Sequence, residues 1–142
     1  MKEMEKKFVF LEHTADIKFK AFGSTMNNLF ENCALAFSSC ISGDKKIASK
    51  KKKIVEVSGD DLEALLYNFM DELIYLLDAE NLAVSSAKVK ILKNKLKAEI
   101  IGDNTKKYSL NHVKAATYAE MYIKKITSGK KEKYEAQVVL DV

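Results

Sequence analysis

Residues 13–16 form a short polar segment that begins with His13 and ends with Asp16, two side chains that could do chemistry. An apolar run, residues 8–11, ends just before it, and an alternating apolar and polar run, residues 17–22, follows it. We therefore expect the segment at the junction of two strands, where side chains project beyond the sheet while the backbone is held by it. A binding site is one interpretation. A structural turn, in which Thr14 or Asp16 caps local amides, is favoured by the local pattern alone.

A second group of oxygen donors lies at the other end of the sequence. An apolar strand pattern over residues 134–140 leads directly into Asp141 and Val142. If this strand is central and buried, Asp141 and the terminal carboxylate of Val142 are fixed in space, and Asp16 could supply a third donor. Carboxylates held together repel each other unless a cation or a lysine lies between them, and oxygen donors suit hard cations such as Ca²⁺ and Mg²⁺. From the residues alone, solvated terminal charges are the simpler interpretation.

Other catalytic chemistry finds little support in the residue types. His13 and His112 are the only histidines, and Cys33 and Cys40 have the helical spacing of small buried hydrophobic residues. Their spacing is too long for an easy disulfide, and no Cys/His pattern suited to zinc is present. A hydrolase that uses His13 and Asp16 is the weakest hypothesis, because no activated nucleophile is visible.

Every basic side chain is a lysine, and six lysines are concentrated in residues 44–53. Lysine lacks the planar fork of arginine, so bidentate recognition of bases or phosphates is excluded. The net charge of +4 is too low to identify a nucleic-acid-binding protein. We expect a solvated loop at 44–53. The alternative is a general RNA-binding or chaperone module that acts through this loop, although no aromatic residue there offers a stacking platform.

Two amphipathic helices are predicted. Apolar residues recur at helical spacing over 25–41, and Gly43 marks the end of this helix. A wider apolar stripe covers 60–78, with Asp60 as the predicted N-cap and Glu63 three positions further on. The opposite face of the first helix is polar: Asn27, Asn28, Glu31 and Asn32.

The other periodic segments predict strands. A short strand is expected at 54–57, a hairpin over 82–100, a strand over 113–123 with its apolar residues at odd-numbered positions, and a last strand over 134–140. The order β-β-α-β-α-β-β-β-β predicts an α+β fold in two layers, with two main helices packed on a mostly antiparallel sheet.

Composition places the chain among globular proteins. Its 142 residues are 47% hydrophobic and 31% charged, which predicts one domain over residues 1–142. No apolar stretch approaches the roughly 18 residues of a membrane span, and the first apolar run is too short for a signal peptide. We expect a cytoplasmic protein without a membrane partner.

Several segments together resemble the archease family. They are His13 to Ile17 with Leu29 to Ala36, Asp61 to Leu73, Val113 to Tyr118, and Val138 to Val142. The resemblance covers essentially the whole chain. Each motif is weak alone, but their occurrence in the family order is specific.

The resemblance implies an accessory protein and not a free-standing enzyme. Archeases assist the RNA ligase that joins 3′-phosphate or 2′,3′-cyclic phosphate ends to 5′-hydroxyl ends in tRNA splicing. They promote guanylylation of the ligase's active-site histidine, restore multiple turnover and can broaden its nucleotide choice. The implied partner is the catalytic subunit of that ligase, and tRNA is reached indirectly through it.

The resemblance also implies a site. The family binds a divalent metal, described as calcium, with magnesium as the alternative here. The matching ligand positions are Asp16 and Asp141, and Val142 adds a terminal oxygen. Lys114 matches the family's functional lysine, and His13 either contacts the ligase or fixes the turn that aims Asp16.

One position departs from the family pattern, and two mechanisms remain open. The residue after Tyr118 is often histidine in the family and is Ala119 here, so no role of that histidine transfers. The metal and Lys114 could act near the nucleotide triphosphate. Alternatively, the acidic tip could dock on the ligase and shift it towards a nucleotide-ready state.

Overall fold

The computed structural model describes residues 6–11 and 16–142. Its main elements are β1 (Phe8–Leu11), β2 (Asp16–Gly23), α1 (Met26–Ser42), β3 (Lys51–Ser58), α2 (Leu62–Ala79), β4 (Leu82–Leu92), β5 (Lys95–Asn104), β6 (Ala115–Ser128) and β7 (Lys131–Asp141). A single turn of 3-10 helix, Thr105–Lys107, follows β5. The predicted element order and the α+β class with two main helices are confirmed.

The strands form two antiparallel sheets. The first has the order β1-β2-β7-β6 and the second the order β3-β5-β4. Helix α1 packs against β2 of the first sheet and β4 of the second, and α2 contacts β3, β4 and β6. The helices therefore join the two sheets around one core, which includes Phe19, Phe30, Phe37 and Phe69. Strand β7 lies inside the first sheet, so the C-terminal strand is central, the condition under which Asp141 is fixed in space.

Helix α1 begins and ends where its sequence directs. The Thr25 side chain accepts a hydrogen bond from the Asn28 N–H at 3.0 Å, as an N-cap does. At the other end, Gly43 has φ +64°, a left-handed conformation that glycine adopts without a Cβ penalty.

The polar face of α1 is not simply solvated. The Glu31 carboxylate accepts a hydrogen bond from the Val89 N–H at 2.9 Å, and the Asn27 side-chain oxygen accepts one from the Ile91 N–H at 2.9 Å. Both N–H groups belong to β4, an edge strand of the second sheet. The polar face of the helix therefore covers that edge.

The predicted loop 44–53 is too long, because its last three residues already belong to β3. Two of its lysines also form ion pairs: Lys52 with Glu99 at 3.2 Å and Lys53 with Glu80 at 3.0 Å. Pairing with β5 therefore outweighs the tendency of a lysine run to remain a solvated loop.

The N-cap of α2 is Asp61 and not Asp60. The Asp61 carboxylate accepts a hydrogen bond from the Ala64 N–H at 2.7 Å, and Asp61 has the extended backbone of a cap. The helix begins one residue later than the capping-box pattern indicates, and it extends to Ala79.

Strand β6 contains a wide bulge that the sequence pattern does not reveal. Thr117 pairs with Val139 and Tyr122 pairs with Gln137, so residues 118–121 lie opposite a single residue of β7.

The predicted alternation over 113–123 is wrong for this reason. Ala116 is buried, whereas Ala115 is only partly buried and Ala119 is exposed. The apolar odd-numbered positions thus do not all share one face. Within the described part of the chain, neither helix combines the length and apolar character needed to cross a membrane.

Candidate metal centre

Asp16 and Asp141 are direct cross-strand neighbours. Asp16 is the first residue of β2 and Asp141 the last residue of β7, and their Cα positions are register partners. The next rows pair Ile17 with Leu140 and Phe19 with Val138. Phe19, Val138 and Leu140 are fully buried, so the backbone that carries both carboxylates is anchored in the core.

The two carboxylates lie on one face of the sheet. Side chains alternate along a strand, and the rows next to Asp16 and Asp141 point towards the core. The aspartates therefore project from the opposite face, where both are partly buried. Directly opposite residues have Cβ atoms about 4.5–5.5 Å apart, and like charges at such positions destabilise a sheet. The arrangement concentrates negative charge at one end of the sheet.

Lys114 lies beside this pair. Its N–H donates a hydrogen bond to the main-chain oxygen of Asp141 at 2.8 Å, and the following residue, Ala115, is the register partner of Asp141. Lys114 itself is exposed. The structure thus brings Asp16, Asp141 and Lys114 to the same end of the first sheet.

The other two predicted site residues have different outcomes. Val142 directly follows Asp141, so its main-chain oxygens are adjacent to the aspartate pair in the chain. The residue is 38% exposed. His13 lies outside the described residues, and its role stays a prediction.

Sequence reasoning missed a polar contact on the same face. Lys18, two residues after Asp16 on β2 and on the same face, forms an ion pair with Glu120 at 3.0 Å. The Gln137 side chain donates a hydrogen bond to the main-chain oxygen of Glu120 at 2.8 Å. These contacts attach the β6 bulge to the face that carries the aspartates. The alternation of the sequence continues through Tyr118, Ala119 and Glu120, so no local signal indicates the bulge.

The oxygen atoms at this site are of the chemical type that binds hard cations. Carboxylate and main-chain oxygens are the ligands that Ca²⁺ prefers, and Asp16, Asp141 and Val142 supply them. Among residues 6–11 and 16–142, no group of three or more His, Cys, Asp or Glu side chains is arranged to hold a metal. A cation at the pair would thus depend on main-chain oxygens and water to complete the six to eight oxygen ligands usual for calcium.

The cysteines are unsuited to such a site, as the sequence predicts. Cys33 and Cys40 are free and buried in α1. Burial raises the pKa of the Cys33 thiol far above its ordinary range and that of Cys40 to about 11. Both thiols therefore stay protonated near neutral pH and act as core residues.

Comparison with known proteins agrees with this architecture. Residues 8–142 match the model of the Archease protein family. The chain is 39% identical to the archease of Pyrococcus abyssi and 40% identical to that of Thermococcus kodakarensis, each over 96% of this chain and 99% of the relative.

Solved structures share the fold. The solution structure of a Methanobacterium thermoautotrophicum protein has a TM-score of 0.75 and 27% identity, and the match covers 96% of this chain and 99% of that one. A Thermotoga maritima archease, described as a possible chaperone, has a TM-score of 0.62 and 23% identity with both chains fully covered, and it supports the fold alone. Given the match to the family model over residues 8–142 and the identity to these relatives, the chain belongs to the archease protein family.

Proposed function

We propose that this archease is an accessory protein without catalytic activity of its own. It activates the catalytic subunit of the 3′-phosphate RNA ligase of tRNA splicing by promoting guanylylation of the ligase's active-site histidine. Repeated guanylylation permits multiple turnover, and the accessory protein also broadens the ligase's choice of nucleotide. Family membership supports this role, and the cross-strand pair of Asp16 and Asp141 is the observation that carries it.

The pair is the proposed holder of a divalent cation, calcium or magnesium. Two carboxylates in direct register repel each other, so a cation between them converts an unfavourable contact into a favourable one. Their backbones are anchored by the buried rows that follow, so little order has to be created when the ion binds. Val142 adds a main-chain oxygen from the adjacent position.

The residues around the aspartate pair determine how this end of the first sheet would act on the ligase. Lys114 is exposed and its N–H is bonded to the main-chain oxygen of Asp141, and we assign its ammonium group the role of binding a phosphate oxygen of the partner. When bound, the cation supplies positive charge that neutralises phosphate oxygens. Asp16 and Asp141 orient this end of the sheet towards the ligase, and Lys18 and Glu120 hold the neighbouring bulge in place.

Calcium binding to the isolated protein is the first test. Calcium at about 100 times its dissociation constant should raise the free energy of unfolding by about 2.7 kcal/mol. Asp16→Asn and Asp141→Asn should abolish this gain. Asp78→Asn removes an equal charge from an exposed position near the end of α2 and should retain it. Urea unfolding with calcium and with chelator measures the difference.

The same series separates a metal site from a general charge effect. In chelator, Asp141→Asn should be more stable than the wild-type protein by roughly 0.2–1 kcal/mol, because the like-charge cross-strand contact is relieved. A calcium gain that persists in both Asn variants would show that the ion binds elsewhere.

A further inference from the structure

The hairpin of β4 and β5 carries a concentration of positive charge. Residues 81–98 contain five lysines and no aspartate or glutamate. Four of these lysines form what we call the lysine face: Lys88, Lys90, Lys95 and Lys97. All four are exposed, while the residues between them that point the other way, such as Val89 and Leu96, are buried. The lysine face is therefore the side of the second sheet that points away from the core.

The geometry of the lysine face is regular. Lys90 and Lys97 are register partners, so two like charges lie directly opposite each other across the hairpin. Such pairs destabilise a sheet. Lys88 and Lys95 lie two residues along the strands from this pair, a distance of about 6.7 Å. Two rows of ammonium groups thus repeat at intervals that suit successive phosphates of one nucleic-acid strand.

Protection of a sheet edge does not explain these lysines. Exposed edge strands often carry lysine to block pairing with other chains. The N–H groups of Val89 and Ile91 on β4 are already bonded to side chains of α1. Lys95 and Lys97 lie on β5, which is the central strand of the sheet and has no free edge.

Nearby acids do not neutralise the lysine face. Throughout the described ranges, none of its four lysines takes part in an ion pair. Glu99, the register partner of Lys88 on the same face, is engaged by Lys52 at 3.2 Å. Glu56, the register partner of Lys97, is the other acid on this face. The excess positive charge is thus open to an external anion.

The apolar residues on this side do not form a protein-binding patch. Ile54 is 49% exposed and Leu92 is 76% exposed, but they lie on the two outer strands with β5 between them. A stable protein interface needs a contiguous apolar centre. Charge complementarity with a repeating anion is what this surface offers.

We propose that the lysine face binds the phosphate backbone of a single-stranded nucleic acid. This site is separate from the aspartate pair and does not depend on the ligase function proposed above. Lysine contacts are point charges without a bidentate fork, so the lysine face contacts phosphates and reads no base sequence.

An aromatic side chain near Lys95, at the turn end of the hairpin, favours a single strand over a duplex. A groove of about 460 Å³ is lined by Asn94 and Lys95 of the hairpin, by Asp60 before α2 and by Tyr118 of the β6 bulge. Tyr118 is 56% exposed and stacks on Tyr67 of α2 with a centroid distance of 4.2 Å and an interplanar angle of 3°. A ring held in this way can stack on an unpaired base, which a duplex does not present.

Fluorescence anisotropy with short labelled oligonucleotides tests the proposal. Single-stranded RNA and DNA of mixed sequence should bind with an affinity that falls steeply between about 50 and 200 mM salt. The double variant Lys90→Gln with Lys97→Gln should reduce the slope of log K against log salt by about 1.4, which corresponds to about 25-fold weaker binding at 0.1 M salt.

A matched control removes the same charge from another place. Lys45 and Lys46 are exposed and lie before β3, and replacing both with glutamine should leave the slope unchanged. Tyr118→Leu should weaken single-strand binding about tenfold without changing the slope. Circular dichroism and urea midpoints establish that each variant is folded.

Several results would overturn the proposal. One is equal loss in the Lys90/Lys97 and Lys45/Lys46 variants, which would indicate a general charge effect. Equal or tighter binding of polyglutamate would indicate an acidic protein partner, and tighter binding of duplex would exclude the single-strand assignment. Ligase guanylylation in the absence of RNA is scored separately, so failure here leaves that function unaffected.

Discussion

Asp103 is a buried carboxylate that depends on a small set of donors. It is 2% exposed, and it accepts hydrogen bonds from the Tyr108 hydroxyl at 2.8 Å and from the Asn104 N–H at 2.8 Å. Lys107 lies 3.3 Å away. The Tyr108 oxygen also accepts a hydrogen bond from the Ala48 N–H at 2.9 Å. This network attaches the segment before β3 to the end of β5.

The network makes stability depend on pH. The hydrogen bond from Tyr108, with smaller contributions from Asn104 and Lys107, holds the pKa of Asp103 below its ordinary value of 3.8. A depressed folded-state pKa gives stability that is present above pH 3.8 and is lost as the pH falls through the folded pKa. Asp103→Asn should therefore be less stable than the wild-type protein at neutral pH, and the difference should shrink in acid.

Urea unfolding between about pH 6 and about pH 2, a range that spans the ordinary carboxyl pKa, measures that difference. Tyr108→Phe removes the main donor and brings the folded-state pKa of Asp103 closer to its ordinary value, so the part of its stability that is lost in acid should be smaller than in the wild-type protein. A difference between Asp103→Asn and wild type that is constant across the range would contradict the assignment.

At the scale of secondary-structure elements, the start of α2 gives a direct comparison between neighbouring acids. Asp61→Ala should lower the free energy of unfolding by about 1 kcal/mol, because the hydrogen bond from the Ala64 N–H is lost. Asp60→Ala is the matched control. It removes the same charge one residue earlier, at a residue whose main-chain oxygen accepts a hydrogen bond from the Asn94 side chain. Equal losses in chemical denaturation would show that charge near the helix N-terminus, and not capping, is responsible.

Element types were largely predictable, and element limits were less so. Each of these elements buries one face. Apolar residues therefore recur every 3.6 positions in α1 and α2 and at every second position in β2, β4 and β5, and this pattern is visible in the sequence. The limits of β3 and α2 were missed. Pairing with β5 extends β3 into the lysine run, and backbone conformation selects Asp61 over an equally suitable Asp60.

The β6 bulge and the polar face of α1 were not predictable for a different reason. Each depends on residues distant in the sequence. Glu31 serves an N–H that is 58 residues away, and Glu120 bonds to Lys18 at a separation of 102 residues. A local pattern contains no information on such contacts, so it identifies the polar face of α1 but not the edge of β4 that this face covers.

At the scale of the whole molecule, the candidate site depends on the central position of β7. The apolar run before Asp141 indicated a buried strand, and strand order places it between β2 and β6. Asp16 and Asp141, 125 positions apart in the chain, become register partners as a result. The residues suggested that Asp16 could join Asp141, and the family resemblance favoured this, but the register could not be derived from the sequence because register between distant strands is set by the complete fold.

The fold also separates two charged regions. The aspartate pair ends the first sheet, while the lysine face covers the outer side of the second sheet. Because they are built on different sheets, substitutions in one should not alter the other. The two proposals, activation of a ligase and binding of a polyanion, are therefore assigned to different surfaces and can be tested separately.

Guanylylation of the partner ligase is the most direct test of the central claim. Transfer of labelled guanylate to the ligase histidine is measured over repeated turnovers, with and without this protein, in chelator and in added calcium or magnesium. The wild-type protein and Asp78→Asn should restore multiple turnover, and Asp16→Asn and Asp141→Asn should lose most of the stimulation while remaining folded. Full stimulation by both Asn variants, or none by the wild-type protein, would contradict the account.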